Sequence, residues 1–132
     1  MMKLQRNSKE LEVLGDGTQT KSYLHVSDCV DAFLMCLDEQ LWGKTAEIYN
    51  IGSEEQTNVL AIAQIVTEAI GLKNVKKRTT TNLGARAWPG DVGKMRLDIS
   101  KIKHLGWEPK LTSDEAVRLA AKELHQELEN TH

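Results

Sequence analysis

The chain has 132 residues, 40% of them hydrophobic and 27% charged, and a formal net charge of −2. That is enough length for one domain with a real core, and nothing in it is apolar for the length that a membrane span or a secretory leader needs. The charge is uneven: residues 1–72 carry −6, residues 73–110 carry +7 and residues 111–132 carry −3. The basic middle third reads either as an anion-binding surface or as a solvated strand and loop face. It lacks aromatic interleaving and any nucleic-acid reader motif.

Residues 1–10 are polar and are expected to form a flexible, frayed segment, with residues 11–132 as one structural unit. Glu12 to Leu14 reads as a short strand ending at the Gly15-Asp16-Gly17 turn. Lys21 to Val26 reads as a second strand, and Ser27 or Asp28 as the cap of the helix that follows. Val30, Phe33, Leu34, Leu37 and Leu41 fall on one apolar face of that helix, which Gly43 ends. Glu47 to Ile51 is expected to be a short strand closed by Gly52-Ser53. Thr57 is the expected cap of a helix with Val59, Ile62, Ala63, Val66, Ala69 and Ile70 on one face, terminated by Gly71. Val75 to Thr81 has strand character, and Asn82 to Gly93 reads as loop. Asp98 caps a short helical segment stopping at Gly106. Thr112 and Glu115 form a capping box for a last helix striped by Val117, Ala120, Ala121, Leu124 and Leu128. The order of elements is that of an α/β or α+β layered fold.

Cys29 and Cys36 lie seven apart on one predicted helix, about 10 Å at 1.5 Å rise per residue, too far for a disulfide. They read as small buried thiols of a reducing, cytoplasmic protein. Two cysteines and four scattered histidines do not supply a closed zinc site, and no metal is expected. No nucleophile elbow or P-loop is present.

Three blocks carry a further signal: GDGTQTKSYLHVSDCVDAFL from Gly15, EIYNIGSEEQTNVLAIAQIV over residues 47–66, and WPGDVGKMRLDISKIKHLGWEPKLTSDEAVRLAAKEL over residues 88–124. In this order and spacing, across a span of about four-fifths of the chain, they resemble the C-terminal part of extended short-chain dehydrogenase/reductases. The resemblance is to the NAD-dependent nucleotide-sugar epimerases and dehydratases, and most to the UDP-glucose 4-epimerase-like branch. It implies an α/β, α+β-like fragment: the substrate-binding part of such an enzyme without its N-terminal Rossmann half. It also implies a nucleoside-diphosphate-sugar as ligand, and NAD held mainly by the absent half. The missing half and a second copy of the chain are the partners it suggests. The EIYNI strand of the family completes the edge of the Rossmann sheet.

The catalytic groups of the family are not found. Gly15 and Gly17 give G-x-G, but Thr20 stands where the third glycine belongs; Gly90 and Gly93 fail likewise at Arg96. The family's catalytic tyrosine precedes a lysine by four residues, whereas Tyr23 is followed by Ser27 and Tyr49 by Ser53. No catalytic residue is therefore expected, and the chain alone is expected to be inactive. Carried over residue by residue, the resemblance places Lys21 where a basic residue, commonly Arg, contacts the diphosphate. Lys21 is otherwise an exposed lysine at a strand start. Gly90 and Asp91 match Arg-x-Gly-Asp, with Trp88 in the Arg position and Arg86 two residues earlier. Asp91 either helps fix the ribose or braces its turn. Trp88 either stacks on a base or sugar or anchors its loop. Tyr23, with His25 two residues on, lies near the ligand or forms a half-buried strand face. The expected substrate-binding set is thus Lys21, Tyr23, Arg86, Trp88 and Asp91. The expected function is the diphosphate-gripping part of an epimerase. A dehydratase or reductase on the same scaffold, and a non-catalytic binding module, are the alternatives.

Overall fold

A computed structural model of the chain describes residues 2–37, 46–80, 84 and 86–130. Its elements are α1 (Met2–Arg6), β1 (Glu10–Leu14), β2 (Thr20–Lys21), α2 (Val26–Cys36), β3 (Thr57–Asn58), α3 (Val59–Ala69), β4 (Lys76–Thr80), β5 (Lys94–Met95), α4 (Ser100–Lys103) and α5 (Ser113–Asn130). The fold is mixed α/β. Strands β1 and β4 pair in parallel, an arrangement that needs a long crossover connection between them. β2 is the centre of a second sheet, antiparallel to β3 and parallel to β5.

Burial of side chains explains most of these elements. Val13 of β1 is buried, while Glu10 and Glu12 both reach Arg78 of β4, at 2.9 and 3.3 Å. α3 packs against β1 on one side and α5 on another, burying Ala63 and Ile65. A compact cluster of Ala32, Ile99, Ile102 and Trp107 forms the main core. Leu24, Met35, Tyr49 and Ile51 lean on it.

Local chemistry fixes the helix ends. Thr112 and Glu115 form the expected reciprocal box: the Thr112 N–H donates to Glu115 Oε2 at 2.9 Å and the Glu115 N–H to Thr112 Oγ1 at 3.2 Å. Asp98 accepts from the Ser100 N–H at 2.9 Å, starting α4. Gly71 follows α3, its N–H bonded to Glu68 O at 3.0 Å.

Several elements differ from the sequence reading. Residues 2–6, read as frayed, form α1 with Leu4 buried, because that leucine has β1 to pack against. The second strand is only Thr20–Lys21. At Tyr23 the backbone N–H turns to Ser113 Oγ at 2.9 Å instead of to a neighbouring strand. EIYNI forms no strand. Its polar groups go to the α4 region: Asn50 Nδ2 donates to Asp98 O at 3.0 Å and Lys101 Nζ to Ile48 O at 2.9 Å. Lys101 also sits 4.7 Å from the Tyr49 ring centroid. Asn58, not Thr57, caps α3, its Oδ1 accepting from the Ala61 N–H at 2.8 Å. On α5, Ser113 and Ala116 join Ala121 in burial, while Ala120 and Leu124 are exposed. The expected terminator Gly43 and residues Leu41, Thr81 and Asn82 lie outside the described residues.

The cap of α2 is His25, whose Nδ1 accepts from the Ser27 N–H at 3.3 Å. Its Nε2 faces Glu123 of α5 at 3.0 Å. Asp28, expected as a cap, points inward at 1% exposure. There its Oδ2 accepts from the Lys110 and Leu111 N–H groups at 3.1 and 3.2 Å. The carboxylate thus ties α2 to the chain entering α5. The apolar face of α2 read from the sequence faces outward, with Phe33 62% and Leu37 64% exposed. The opposite side, Ala32 and Met35, meets the core.

Candidate functional site

The site is built where the 86–93 turn folds back over β2. Lys21 occupies the central strand, in register with Thr57 on one side and Met95 on the other. The Thr20 N–H donates to Gly93 O at 2.9 Å, pinning the end of the turn. The start of the turn is pinned by close packing. A Cβ on Gly15, whose φ is +83°, would stand 2.8 Å from Arg86 O, so only glycine fits there. The turn closes on itself through the Asp91 N–H, which donates to Trp88 O at 3.1 Å.

Asp91 is the keystone of this corner. Its Oδ1 accepts from Lys21 Nζ at 2.8 Å and its Oδ2 from the Ala87 N–H at 3.0 Å. The Asp91 side chain is only 3% exposed, whereas the Lys21 side chain is 27% exposed. The Lys21 ammonium also lies 5.7 Å from the centroid of the Trp88 ring, within cation–π reach. An ammonium has three N–H donors. One is spent on Asp91, and the exposed side of the group presents the rest to solvent or to an anion. Trp88 itself is 55% exposed beside it. Chemically the corner offers a positioned cation next to an aromatic face, the pairing that a phosphate and a ring ask for.

Hydrogen bonding from the Lys21 ammonium, then from the Ala87 N–H, holds the Asp91 carboxyl below the usual carboxylate range. A carboxyl depressed in the folded state stabilises at pH above its unfolded value, and that contribution is lost as pH falls through the folded value. The amide signals of Ala87 to Asp91 are therefore expected to stay unchanged from neutral pH down to about 5 and to shift below about 4. Asp91→Asn is expected to remove that acid transition. An unaltered transition in the variant would show that another group governs the turn.

Of the residues singled out from the sequence, Lys21, Trp88 and Asp91 form one contact set. Arg86 contributes its backbone to the same turn, and its side chain is exposed. Tyr23 does not join them. It lines a separate cleft with His25, Val26 and the α5 residues Ala120 and Leu124. Both carboxylate oxygens of Asp91 are occupied within the chain, so it braces the turn and aims the ammonium. The sequence reading missed Gln19, which is 7% exposed and donates from Nε2 to Leu14 O at 2.7 Å, and Ser113, which bonds both Tyr23 and Glu55. Both lie inside the quoted blocks, but Gln19 is fixed by a backbone carbonyl five residues away and Ser113 by contacts 90 and 58 residues away, which no residue pattern announces.

The Gly15–Gly17 turn does not fit the pyrophosphate of NAD. Its glycines answer to packing, at Gly15 against Arg86 and at Gly17 against the Leu60 side chain, and β2 follows it where a dinucleotide cradle needs a helix. Among the described residues no group of three or more His, Cys, Asp and Glu side chains is placed to hold a metal ion. No helix among them is long and apolar enough to cross a membrane.

Comparison with known proteins is consistent with this architecture. The family model described as GDP-mannose 4,6 dehydratase matches residues 1–120. A crystal structure of a UDP-galactose 4-epimerase is 38% identical with a TM-score of 0.79, covering 96% of this chain and 38% of that one. A UDP-glucuronic acid 4-epimerase from Bacillus cereus, solved with UDP-glucuronic acid and NAD, is 25% identical with a TM-score of 0.74 over 96% of this chain and 38% of that one. The dTDP-D-glucose 4,6-dehydratase of Bos taurus is 30% identical over 122 residues, which are 87% of this chain and 32% of the relative. The chain thus spans about a third of the length of these proteins. With its fold, its three sequence blocks and the match over residues 1–120 in agreement, the chain belongs to the nucleotide-sugar epimerase/dehydratase family of extended short-chain dehydrogenase/reductases.

Proposed function

We propose that this chain is the nucleotide-gripping part of an NAD-dependent nucleotide-sugar epimerase of the UDP-glucose 4-epimerase kind, and that it binds the nucleoside-diphosphate end of the substrate. The observation that carries the reading is the meeting of Lys21 with Asp91, 70 residues on in sequence, and with Trp88 in one solvent-facing corner. In this reading Lys21 neutralises the diphosphate, held in place by Asp91. Trp88 gives the base or the ribose a face to lie on. Arg86, exposed on the same turn, adds positive charge at the rim.

Grip at the remote phosphate end orients the sugar without touching the reacting carbon, which is how binding energy is used for positioning. Hydride transfer to and from the sugar, with NAD, is assigned to the portion of the relatives that this chain does not span. No proton or hydride is moved by the residues described above, and the chain alone is proposed to turn over no nucleotide-sugar. The dehydratase reading stays beside the epimerase one because of the 30% identity to the Bos taurus enzyme. The phosphate grip is common to both.

A titration of the chain with UDP and with uridine tests this. UDP is expected to bind at least about tenfold tighter, with an advantage that shrinks as salt rises. Equal affinity for the two, or an advantage insensitive to salt, would remove the diphosphate from the reading.

A further inference from the structure

We infer that Ser27, His25 and Glu123 form a nucleophile, its base and the partner that orients the base, and that this set takes acyl groups from small uncharged carboxylic esters. It belongs to other elements than the Lys21 corner: Ser27 lies in the first turn of α2 and Glu123 in α5. Ser27 Oγ stands 2.9 Å from His25 Nδ1, and His25 Nε2 stands 3.0 Å from Glu123 Oε2. An activated hydroxyl needs both contacts, one to the base and one that holds the base from its far side.

The backbone fixes the direction in which a proton moves. The Ser27 N–H donates to Nδ1 at 3.3 Å, so Nδ1 carries no proton of its own. The Ser27 hydroxyl is then the donor in its contact with Nδ1. The ring proton sits on Nε2, where it donates to Glu123. Capping of α2 uses only the backbone N–H and leaves the hydroxyl without a structural task. Ser27 is exposed, whereas the His25 side chain is 5% exposed. A reachable hydroxyl beside a sheltered ring suits attack on a carbonyl that comes from outside.

The adjoining cleft selects the substrate class. It measures about 300 Å³ and is lined by His25 and Val26, the two residues before Ser27. Val117, Ala120 and Leu124 give it apolar walls, which match an acyl chain of a few carbons. Glu123 and Glu127 also line it, and their charge disfavours an anionic ester.

In the acyl transfer, Ser27 Oγ bonds to the ester carbonyl carbon while its proton passes to Nδ1. The bond from that carbon to the leaving oxygen breaks, and Nδ1 gives the proton to the departing alcohol. Water then attacks the acyl-serine in the same way, releasing the carboxylic acid and restoring Ser27. Glu123 touches no reacting atom. It is a positioning residue, which holds the ring tautomer and steadies the imidazolium.

Reaction of the whole chain with p-nitrophenyl butyrate and with a fluorophosphonate tests the set. The ester is expected to be cleaved at least about a hundredfold faster than by free imidazole at equal concentration. The fluorophosphonate is expected on Ser27 by peptide mass mapping. Ser27→Ala is expected to lose both reactions, with circular dichroism establishing that the variant is folded. Glu123→Gln keeps an oxygen for the Nε2 proton and removes the charge. It is expected to lower kcat at least about tenfold with KM unchanged, a split that a purely structural contact does not produce. A wild-type rate no higher than that of imidazole overturns the inference. So does a rate that survives Ser27→Ala, or a label carried by another residue such as Cys29. A Glu123→Gln variant with the wild-type kcat overturns the role of the carboxylate.

Discussion

Replacing Asp28 with alanine is expected to destabilise the fold by about 2–4 kcal/mol, because two charge-assisted hydrogen bonds are lost and two backbone donors are left in a partly buried place. The Asp28 carboxylate is 1% exposed, and its Oδ2 alone receives the Lys110 and Leu111 N–H groups. These residues lead into α5, which packs on α3, so the loss is felt well beyond α2. Asp28→Asn keeps an acceptor oxygen without its charge and is expected to fall between wild type and alanine. Asp31, three residues on, is paired with Lys110 at the surface, and its removal is expected to change little. Urea unfolding of the three variants measures this. Equal midpoints for Asp28→Ala and Asp31→Ala would show that the inward carboxylate ties nothing together.

Substitution of Lys21 is expected to have the largest effect on ligand binding. Lys21→Glu places a second carboxylate beside Asp91 and is expected to weaken UDP binding by about a hundredfold or more. Lys21→Ala is less clean, since it leaves the nearly buried Asp91 carboxylate without its cation and loosens the turn as well as the grip. Lys21→Arg separates the two effects. It keeps the charge and brings a bidentate fork, so its UDP affinity is expected to equal or exceed that of the wild type. Its uridine affinity is expected to be unchanged. An arginine variant that binds UDP no better than the alanine variant would argue against a phosphate at this position.

Local signals were legible in the sequence where the physics is local. The Thr112–Glu115 box, the Gly71 terminator and the Asp98 cap depend on neighbours a few residues away. They stand in the structure as read. The strand at Lys21 to Val26 and the EIYNI segment failed for a common reason. A strand exists only where another backbone answers its N–H and C=O groups, and composition does not reveal the partner. Asp28 was misassigned because a Ser-Asp pair at a helix start looks like a cap. The His25 ring takes that place, and only the fold shows the carboxylate turned toward Lys110. The α2 stripe was read with the right period, but its outward direction is set by Ala32 and Met35 meeting the core.

The candidate site was readable as a set of residue types and less so as a geometry. Lys21 and Asp91 came from separate sequence blocks, and the structure joins them at 2.8 Å. Tyr23 came from the same block as Lys21, yet it faces the α5 cleft. Asp91 was assigned two roles from the sequence. Its oxygens, occupied by Lys21 and the Ala87 N–H, favour the one in which it braces its turn.

The most direct measurement is a residue-resolved NMR map of the isotope-labelled chain titrated with UDP. The account expects amide shifts concentrated at Thr20 to Ser22 and Ala87 to Val92, with the Trp88 indole N–H signal moving in step. Shifts confined to α4, or to the cleft beside α5, with the 86–93 turn unmoved, would contradict it.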